Sequence, residues 1–473
     1  MSPVLRESEV VFMYGHGDPD IYRAFAATFQ GWGGAATPER ARMFRELGMR
    51  ATGSIWCLTA GAARLHADAA LRDAVVRDIR GEPVAVPWLA DHVHEGTPSW
   101  FGCTNHPAFR RLNRDLAREA VSVDVDGLHI DDPRGSAGAM ASGGCFCDYC
   151  MAAFREYAKR ALGEAEFRAA GVRDSGRFDY REVVRAVADT REECLRKWRD
   201  LPLIEHFRRF QDEAAAENIR GIARAAMEHA GRKLLISVNA YNIEDGFLPI
   251  VNLDEVTHIV CEVRQAGTAE PDGFRDTAEA YERARRAGKP VAATATGENW
   301  AWVKKHGAIE LPKIWIAFAY ACGQRFMAPD PERQWCHTNE LGTHWYAAPA
   351  EQYAPMYRFV RANADLFDGY AATAPPDVSE KDGLLTAFRA RPGAQAVMHA
   401  VNLRCEPGAP GRPERIQPRR NLEVPLPPEA AGAKRARLMS FDAPPETVRV
   451  RRSGGRPALE IPELRIWTIA ALE

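Results

Sequence analysis

Along roughly the first 370 residues, short apolar runs alternate with amphipathic segments, and this alternation constrains the fold more than any other feature of the chain. The runs are Val10–Tyr14, Ala51–Trp56, Pro83–Trp88, Val125–Asp131, Leu234–Asn239, His258–Glu262, Val291–Thr296 and Arg325–Ala328. Helical patterns at Arg40–Leu47, Ala69–Ile79, Phe109–Val121 and Phe274–Ala287 lie between them. Strand–helix repeats of this number, all running one way, close into a parallel barrel more readily than they form an open sheet. An open doubly wound sheet would also carry a glycine-rich phosphate turn after its first strand. Gly15-His16-Gly17-Asp18 does not have that pattern.

After the helical stretch Glu351–Phe367 the character changes. Thr373-Ala374-Pro375-Pro376-Asp377 reads as a linker. Short alternating segments come next at Leu384–Ala390, Ala394–Leu403, Arg420–Val424, Ala436–Ser440, Val448–Arg451 and Leu464–Ala470, with turn residues between them. The expected fold is therefore α/β, a (β/α)8 TIM barrel over residues 1–372 followed by a small antiparallel β-sandwich domain over 373–473. Residues 151–232 hold more helix than one crossover needs. They are expected to form an insertion that lies over the barrel mouth or makes subunit contacts, which leaves a homo-oligomer open.

Composition narrows the partners. The net charge is −2, whereas a nucleic-acid surface leaves a basic excess. No apolar stretch reaches the length of a membrane span. The opening residues Met1 to Glu9 are polar, unlike a secretory signal, so a cytoplasmic location is expected. In that setting the ten cysteines read as thiols or metal ligands rather than as a disulfide framework. Four of them have the number and spacing of a closed tetrahedral zinc site: Cys103, then Cys145-x-Cys147-x-x-Cys150. A structural zinc there would staple the loop from about 103 to 150.

Barrel chemistry is done by side chains at the C-terminal ends of strands. Those positions hold His16; Trp88 and His92; Asp131, Asp132 and Arg134; Asn239 and Tyr241; Glu262 and Arg264; Glu298 and Trp300. Carboxylates, an amide and aromatic rings suit a sugar, because flat rings stack on pyranose C–H faces and paired carboxyls act on the glycosidic bond. Side chains alternate along a strand, so Asp131 shares a face with His129 and Asp132 shares one with Ile130. If Ile130 packs outward, Asp131 points into the mouth. Asp131 and Glu262 are the expected catalytic pair, with Asp132 and Glu298 as alternatives. His16, Trp88, His92, Arg134, Asn239, Tyr241, Arg264 and Trp300 would contact substrate. Arginines near both acids would suit an acidic sugar, but they serve equally to hold neighbouring carboxylates.

Two family resemblances bear on this reading. Ile130-Asp131-Asp132-Pro133, followed by Cys145-Phe146-Cys147-Asp148-Tyr149-Cys150, resembles the strand end and cysteine run of family 42 β-galactosidases. Cys103 is similar to that family's upstream zinc ligand. Pro133 stands where that family has its acid/base glutamate, so the galactosidase activity does not carry over. Gly127-Leu128-His129-Ile130-Asp131 resembles the nucleophile strand of the dextranase and cycloisomaltooligosaccharide glucanotransferase family. Ile259-Val260-Cys261-Glu262, a helix and Lys289-Pro290-Val291 resemble that family's acid/base strand with its succeeding helix and strand. His399-Ala400-Val401-Asn402-Leu403 is similar to its terminal β-domain. This second resemblance implies a retaining glycoside hydrolase acting on an oligosaccharide or glycoside, with Asp131 as nucleophile and Glu262 as acid/base. Transglycosylation, inverting hydrolysis and a non-catalytic carbohydrate-binding barrel remain the alternatives.

Overall fold

A computed structural model describes residues 4–33, 37–268, 273–406, 414–453 and 455–473. Eight parallel strands occur in chain order within one sheet. They are β1 (Val11–Phe12), β2 (Phe29–Gln30), β3 (Arg50–Trp56), β4 (Gly127–Asp131), β5 (Leu235–Val238), β6 (His258–Val263), β7 (Val291–Ala295) and β8 (Arg325–Phe326). Phe12 bridges Ala328 in parallel, so the last strand returns to the first and the sheet closes as a barrel. The inner strands are buried along nearly their whole length, as parallel strands covered on both faces must be.

The sequence reading differs from this barrel at one strand. Pro83–Trp88 is not in it: Ala85 bridges Trp100 antiparallel, and Pro87–Leu89 is a turn of 3-10 helix. The barrel strand missed by the reading is β2, two residues that continue the apolar pattern of the helix before it. The helix expected at Ala69–Ile79 stops at Asp73. Val75 and Val76, β-branched, instead pair with Gly102 and Phe101.

The chain divides into two compact units. One comprises Gly53–Ala240 and Asp245–Val256. In it β4 pairs with β5, with Gly127 opposite Leu235. A Cβ on Gly127 would stand 2.3 Å from the Leu235 carbonyl oxygen, so this strand start needs glycine. The unit is largely helical: α1 (Pro107–Ala120), α2 (Asp148–Ala161), shorter helices between 164 and 196, and the 27-residue α3 (Ile204–Ala230). Phe146, Phe154, Phe178, Tyr180, Phe207 and Phe210 pack into one aromatic cluster with the four candidate cysteines.

The other unit comprises Met1–Thr52, Tyr241–Glu244 and Thr257–Glu473. It holds β1, β2, β6 to β8, α4 (Gly297–His306), α5 (Glu310–Ala321) and the C-terminal strands. Apart from Glu310 and Lys313, α5 is apolar, and it is buried from Leu311 to Ala321. After β8 the chain makes an antiparallel hairpin, β9 (Gln334–Thr338) with β10 (Gly342–Tyr346). The terminal strands form a nine-stranded antiparallel sheet, folded over a core that includes Met398, Val424, Leu438, Leu459, Ile461 and Leu472. The expected strand Leu464–Ala470 is two strands, Arg456–Leu464 and Trp467–Leu472, separated by a turn. Glu414 binds the start of α5: its carboxylate accepts the N–H groups of Ile309, Glu310 and Leu311 at 2.8, 2.6 and 2.8 Å. Those are donors that a helix leaves without an internal partner.

Candidate active site and metal centre

β4 delivers two carboxylates that part at once. Asp131 Oδ1 accepts the Asn239 side-chain amide at 2.9 Å and the Asp132 backbone N–H at 2.9 Å. Asn239 comes directly after β5, so a side chain from the neighbouring strand end orients Asp131. Asp132 takes a left-handed backbone, φ 46°, a conformation that costs a non-glycine residue on the order of 1 kcal/mol. That turn aims its carboxylate at Trp56, whose Nε1 donates at 2.8 Å. Burial raises the Asp132 pKa, and the Trp56 N–H acts in the opposite direction. Behind them His129 is buried against Ser237 Oγ at 2.9 Å, with its pKa lowered by burial to about 3.

Arg134 does not approach Asp131 through any described hydrogen bond. Its Nη2 donates to Asp212 of α3 at 2.8 Å, and its guanidinium lies 5.2 Å from the centre of the Phe247 ring. Burial raises Asp212, and Arg134 pulls it back down. Trp88 and His92, expected at a strand end, lie instead on the excursion between β3 and β4. Trp88 is 45% exposed, and His92 is exposed and bonded to Asp91 at 2.8 Å. The apolar run that ends at Trp88 is not a barrel strand, so neither residue stands at the end of one.

The four cysteines do converge. Their sulfurs all lie within 4.8 Å of one another, and Cys103 is 3.5 Å from both Cys147 and Cys150. A disulfide would need about 2.05 Å. Four thiolates at about 2.3 Å from a central zinc stand about 3.8 Å apart. The cluster thus has the spacing of a metal centre, and its buried sulfurs could hold a metal ion. Sequence reasoning missed the groups around it. Asn105 Nδ2 and Gln211 Nε2 both donate to Cys150 Sγ, at 3.3 and 3.4 Å. Gln211 in turn accepts from Ser136 Oγ at 2.8 Å and from Asn105 at 3.3 Å. N–H donors aimed at sulfur stabilise thiolate, the form that binds metal. Asn105 was legible from its place beside Cys103, but Gln211 was not, because only the fold brings α3 there.

The second unit gathers its own polar group. Glu262, 8% exposed, stands on β6 opposite Thr294 of β7. Arg264, two residues on, places its guanidinium 5.6 Å from the centre of the Tyr241 ring, and its side chain reaches Glu244 at 4.0 Å. Burial raises the Tyr241 pKa; Arg264 opposes this, and the Glu298 and Glu262 carboxylates add to it. Arg264, Glu262 and Glu298 are therefore all within electrostatic reach of Tyr241. Glu298 is exposed in the first turn of α4, where a helix favours an anion.

Two expected substrate contacts have other work here. Trp300 is fully buried; its Nε1 donates to Thr294 Oγ1 at 2.9 Å, and its ring packs edge-on to Trp315. One turn of helix carries it from the strand end back into the core. His16 is buried with both ring nitrogens engaged, Nδ1 with Glu332 at 2.7 Å and Nε2 with Asp330 at 2.9 Å. Burial, the largest single influence, lowers its pKa, but the two carboxylates together outweigh it and the net shift is upward. Asp330 also accepts from the backbone of Glu332 and Arg333, so His16 ties the loop after β1 to the loop after β8.

No family model matches the chain. Among curated proteins it is 22% identical over 308 residues to an α-agarase of Alteromonas agarilytica, a match that takes in 63% of this chain and 21% of that protein. The chain thus spans about a fifth of that relative's length. Among solved structures it is similar to a cycloisomaltooligosaccharide glucanotransferase of Paenibacillus complexed with cycloisomaltoheptaose. That match has a TM-score of 0.59 and 9% identity, covering 98% of this chain and 84% of the other. A β-galactosidase of Rahnella sp. R3 gives 0.56 and 14%, over 79% and 59%. An α-amylase of Geobacillus thermoleovorans gives 0.53 and 10%, over 100% and 99%. At these identities the likeness is one of fold: a barrel with a C-terminal β-domain.

Proposed function

We propose that the chain processes glycosidic bonds by a two-carboxylate retaining mechanism, with Asp131 as nucleophile and Glu262 as acid/base. The observation that carries this reading is Asp131 itself, a carboxylate at the C-terminal end of a parallel barrel strand, oriented by the Asn239 amide. Glu262, near the end of a second parallel strand, is largely buried. The similar solved structures, a glucanotransferase, a β-galactosidase and an α-amylase, support the processing of glycosidic bonds.

In the first step Asp131 attacks the anomeric carbon and the glycosidic C–O bond breaks. The leaving oxygen takes the proton of Glu262, and a glycosyl ester on Asp131 remains. In the second, Glu262 takes a proton from water, whose oxygen attacks the same carbon and frees Asp131. A sugar hydroxyl in place of water gives transglycosylation with the same residues. Asn239, Tyr241 and Arg264 position the sugar. Glu298 is the alternative acid/base, since it bears on the same Tyr241 as Glu262. Cys103, Cys145, Cys147 and Cys150 would hold a structural zinc, which would supply rigidity to the segments they join.

The test is a screen of aryl glycosides and of agaro-, isomalto- and malto-oligosaccharides, then kinetics of Asp131→Asn and Glu262→Gln on any substrate found. Each variant is expected to lower kcat by about three orders of magnitude or more while leaving the fold intact. Near-normal turnover by Glu262→Gln moves the acid/base role to Glu298. Undiminished turnover by Asp131→Asn defeats the mechanism.

A further inference from the structure

The hairpin of β9 and β10 after the last barrel strand carries aromatic rings that the chemistry above does not use. Trp335 and Trp345 are directly opposite each other in its register, and so are His337 and Thr343. Directly paired residues project from the same face of a hairpin. This face is the open one: Trp345 is 45% exposed and Trp335 and His337 are half-buried. The opposite face, with Gln334 and Cys336, is buried. The open rings are held in place. Trp335 and His337 are nearly parallel, at 17° with centroids 6.0 Å apart, and Tyr14 meets Trp345 edge-on at 5.7 Å. Lys304 of α4 donates to the Trp345 carbonyl at 2.9 Å, fixing the hairpin to that helix. The Trp335 ring also covers Gly297, where an added Cβ would meet it at 2.6 Å, and Gly297 is the residue before Glu298.

A patch of this kind needs an occupant that is flat, partly apolar and partly hydroxylated. Two five-residue strands at about 3.4 Å per residue give a face about 17 Å long and on the order of 200 Å². A stable second copy would need about 800 Å² per partner. A pyranose ring fits the area, with one C–H face on an indole and hydroxyls toward His337 and Thr343. The exposed Thr343 hydroxyl and the half-buried His337 ring lie on this same face, so polar groups stand beside the indoles.

We propose that Trp335 and Trp345 form a stacking platform for a sugar ring of a neutral polysaccharide, adjoining the Glu298 end of α4. This rests on the glycosidic reading for its context, but it is a binding claim that can be tested without turnover. The experiment is affinity electrophoresis of the full chain, and of the Asp131→Asn variant, through polyacrylamide gels containing agarose, dextran or soluble starch. At least one polymer is expected to retard both proteins. Trp345→Ala and Trp335→Ala are expected to weaken that retardation about tenfold in apparent Kd. Leu341→Ala at the exposed hairpin turn is expected to leave it unchanged. Trp345, the more exposed ring, guards against a folding artefact, and thermal melts of each variant check for one. The proposal is overturned if no polymer retards the protein, if both tryptophan variants are retarded like wild type, or if their only effect is on oligomeric state. Tryptophan-dependent retardation with no turnover of any glycoside would defeat the catalytic reading and leave the platform standing. Asp131-dependent turnover with tryptophan-independent retardation would do the reverse.

Discussion

Gln211→Leu isolates what the surroundings of the cysteine cluster do. The substitution keeps a branched apolar side chain, one atom shorter, at the buried position on α3 but removes its amide. It deletes the N–H···S contact to Cys150 at 3.4 Å and the acceptor for Ser136 Oγ at 2.8 Å and Asn105 Nδ2 at 3.3 Å. Neither neighbour is left bare, since Ser136 keeps its bond with Thr104 and Asn105 keeps its own contact with Cys150. The loss is therefore that of the bonds themselves, about 1 kcal/mol each and about 2–3 kcal/mol together, without a large penalty for an orphaned group. Outer-shell partners of metal ligands typically contribute 10–100-fold in affinity. With zinc bound by Cys103, Cys145, Cys147 and Cys150, a competition titration against a chromophoric chelator is expected to show zinc held about 10–100-fold more weakly. Urea denaturation of the zinc-loaded protein is expected to show a lower midpoint. Cys150→Ser is expected to lose the metal altogether, read as zinc per chain by elemental analysis. Zinc affinity within about twofold of wild type, with an unmoved midpoint, would refute the claim that Gln211 supports the thiolate.

Two further outcomes concern groups that the structure reassigns. The folded-state pKa of His16 is raised above its ordinary value of about 6.5. Its contribution to stability is thus full below about pH 6.5 and is lost as pH rises through the higher folded pKa. His16→Asn is expected to lower the melting temperature at about pH 6 more than at about pH 9, and an equal loss at both would argue against an imidazolium between Asp330 and Glu332. Trp300→Phe shrinks a buried ring and removes the bond to Thr294, for a stability loss of about 2 kcal/mol. KM is expected to stay the same, and a raised KM at unchanged stability would return Trp300 to the substrate.

The barrel was legible because most of its strands are long apolar runs that end in polar residues, and β4, β6 and β7 lie close to where the runs put them. β2 escaped notice because two residues carry no period of their own. Pro83–Trp88 was mistaken because an apolar run says nothing about which partner it will find, and here the partner is the antiparallel segment at Trp100. The four cysteines announced themselves by spacing. Trp300 and His16 did not, because a strand end leading into helix can send a side chain inward as readily as out, and a histidine's partners can lie hundreds of residues away. The aromatic hairpin went unread for a related reason: Trp335 and Trp345 are ten positions apart, and only antiparallel pairing makes them neighbours.

The Glu414 carboxylate on the α5 N-terminus bears on how such a chain could be inherited. The terminal β-domain has the outward form of a cassette, with a proline-bearing joint before it and a sheet and core of its own. Yet one of its side chains closes three backbone donors of a helix that begins about a hundred residues earlier. Recombination at the joint would separate Glu414 from residues 309–311 and hand each half a partner shaped for another sequence. The domain is thus expected to travel through a lineage together with its barrel, and a graft from a distant relative would succeed only if it brought an acid to that helix.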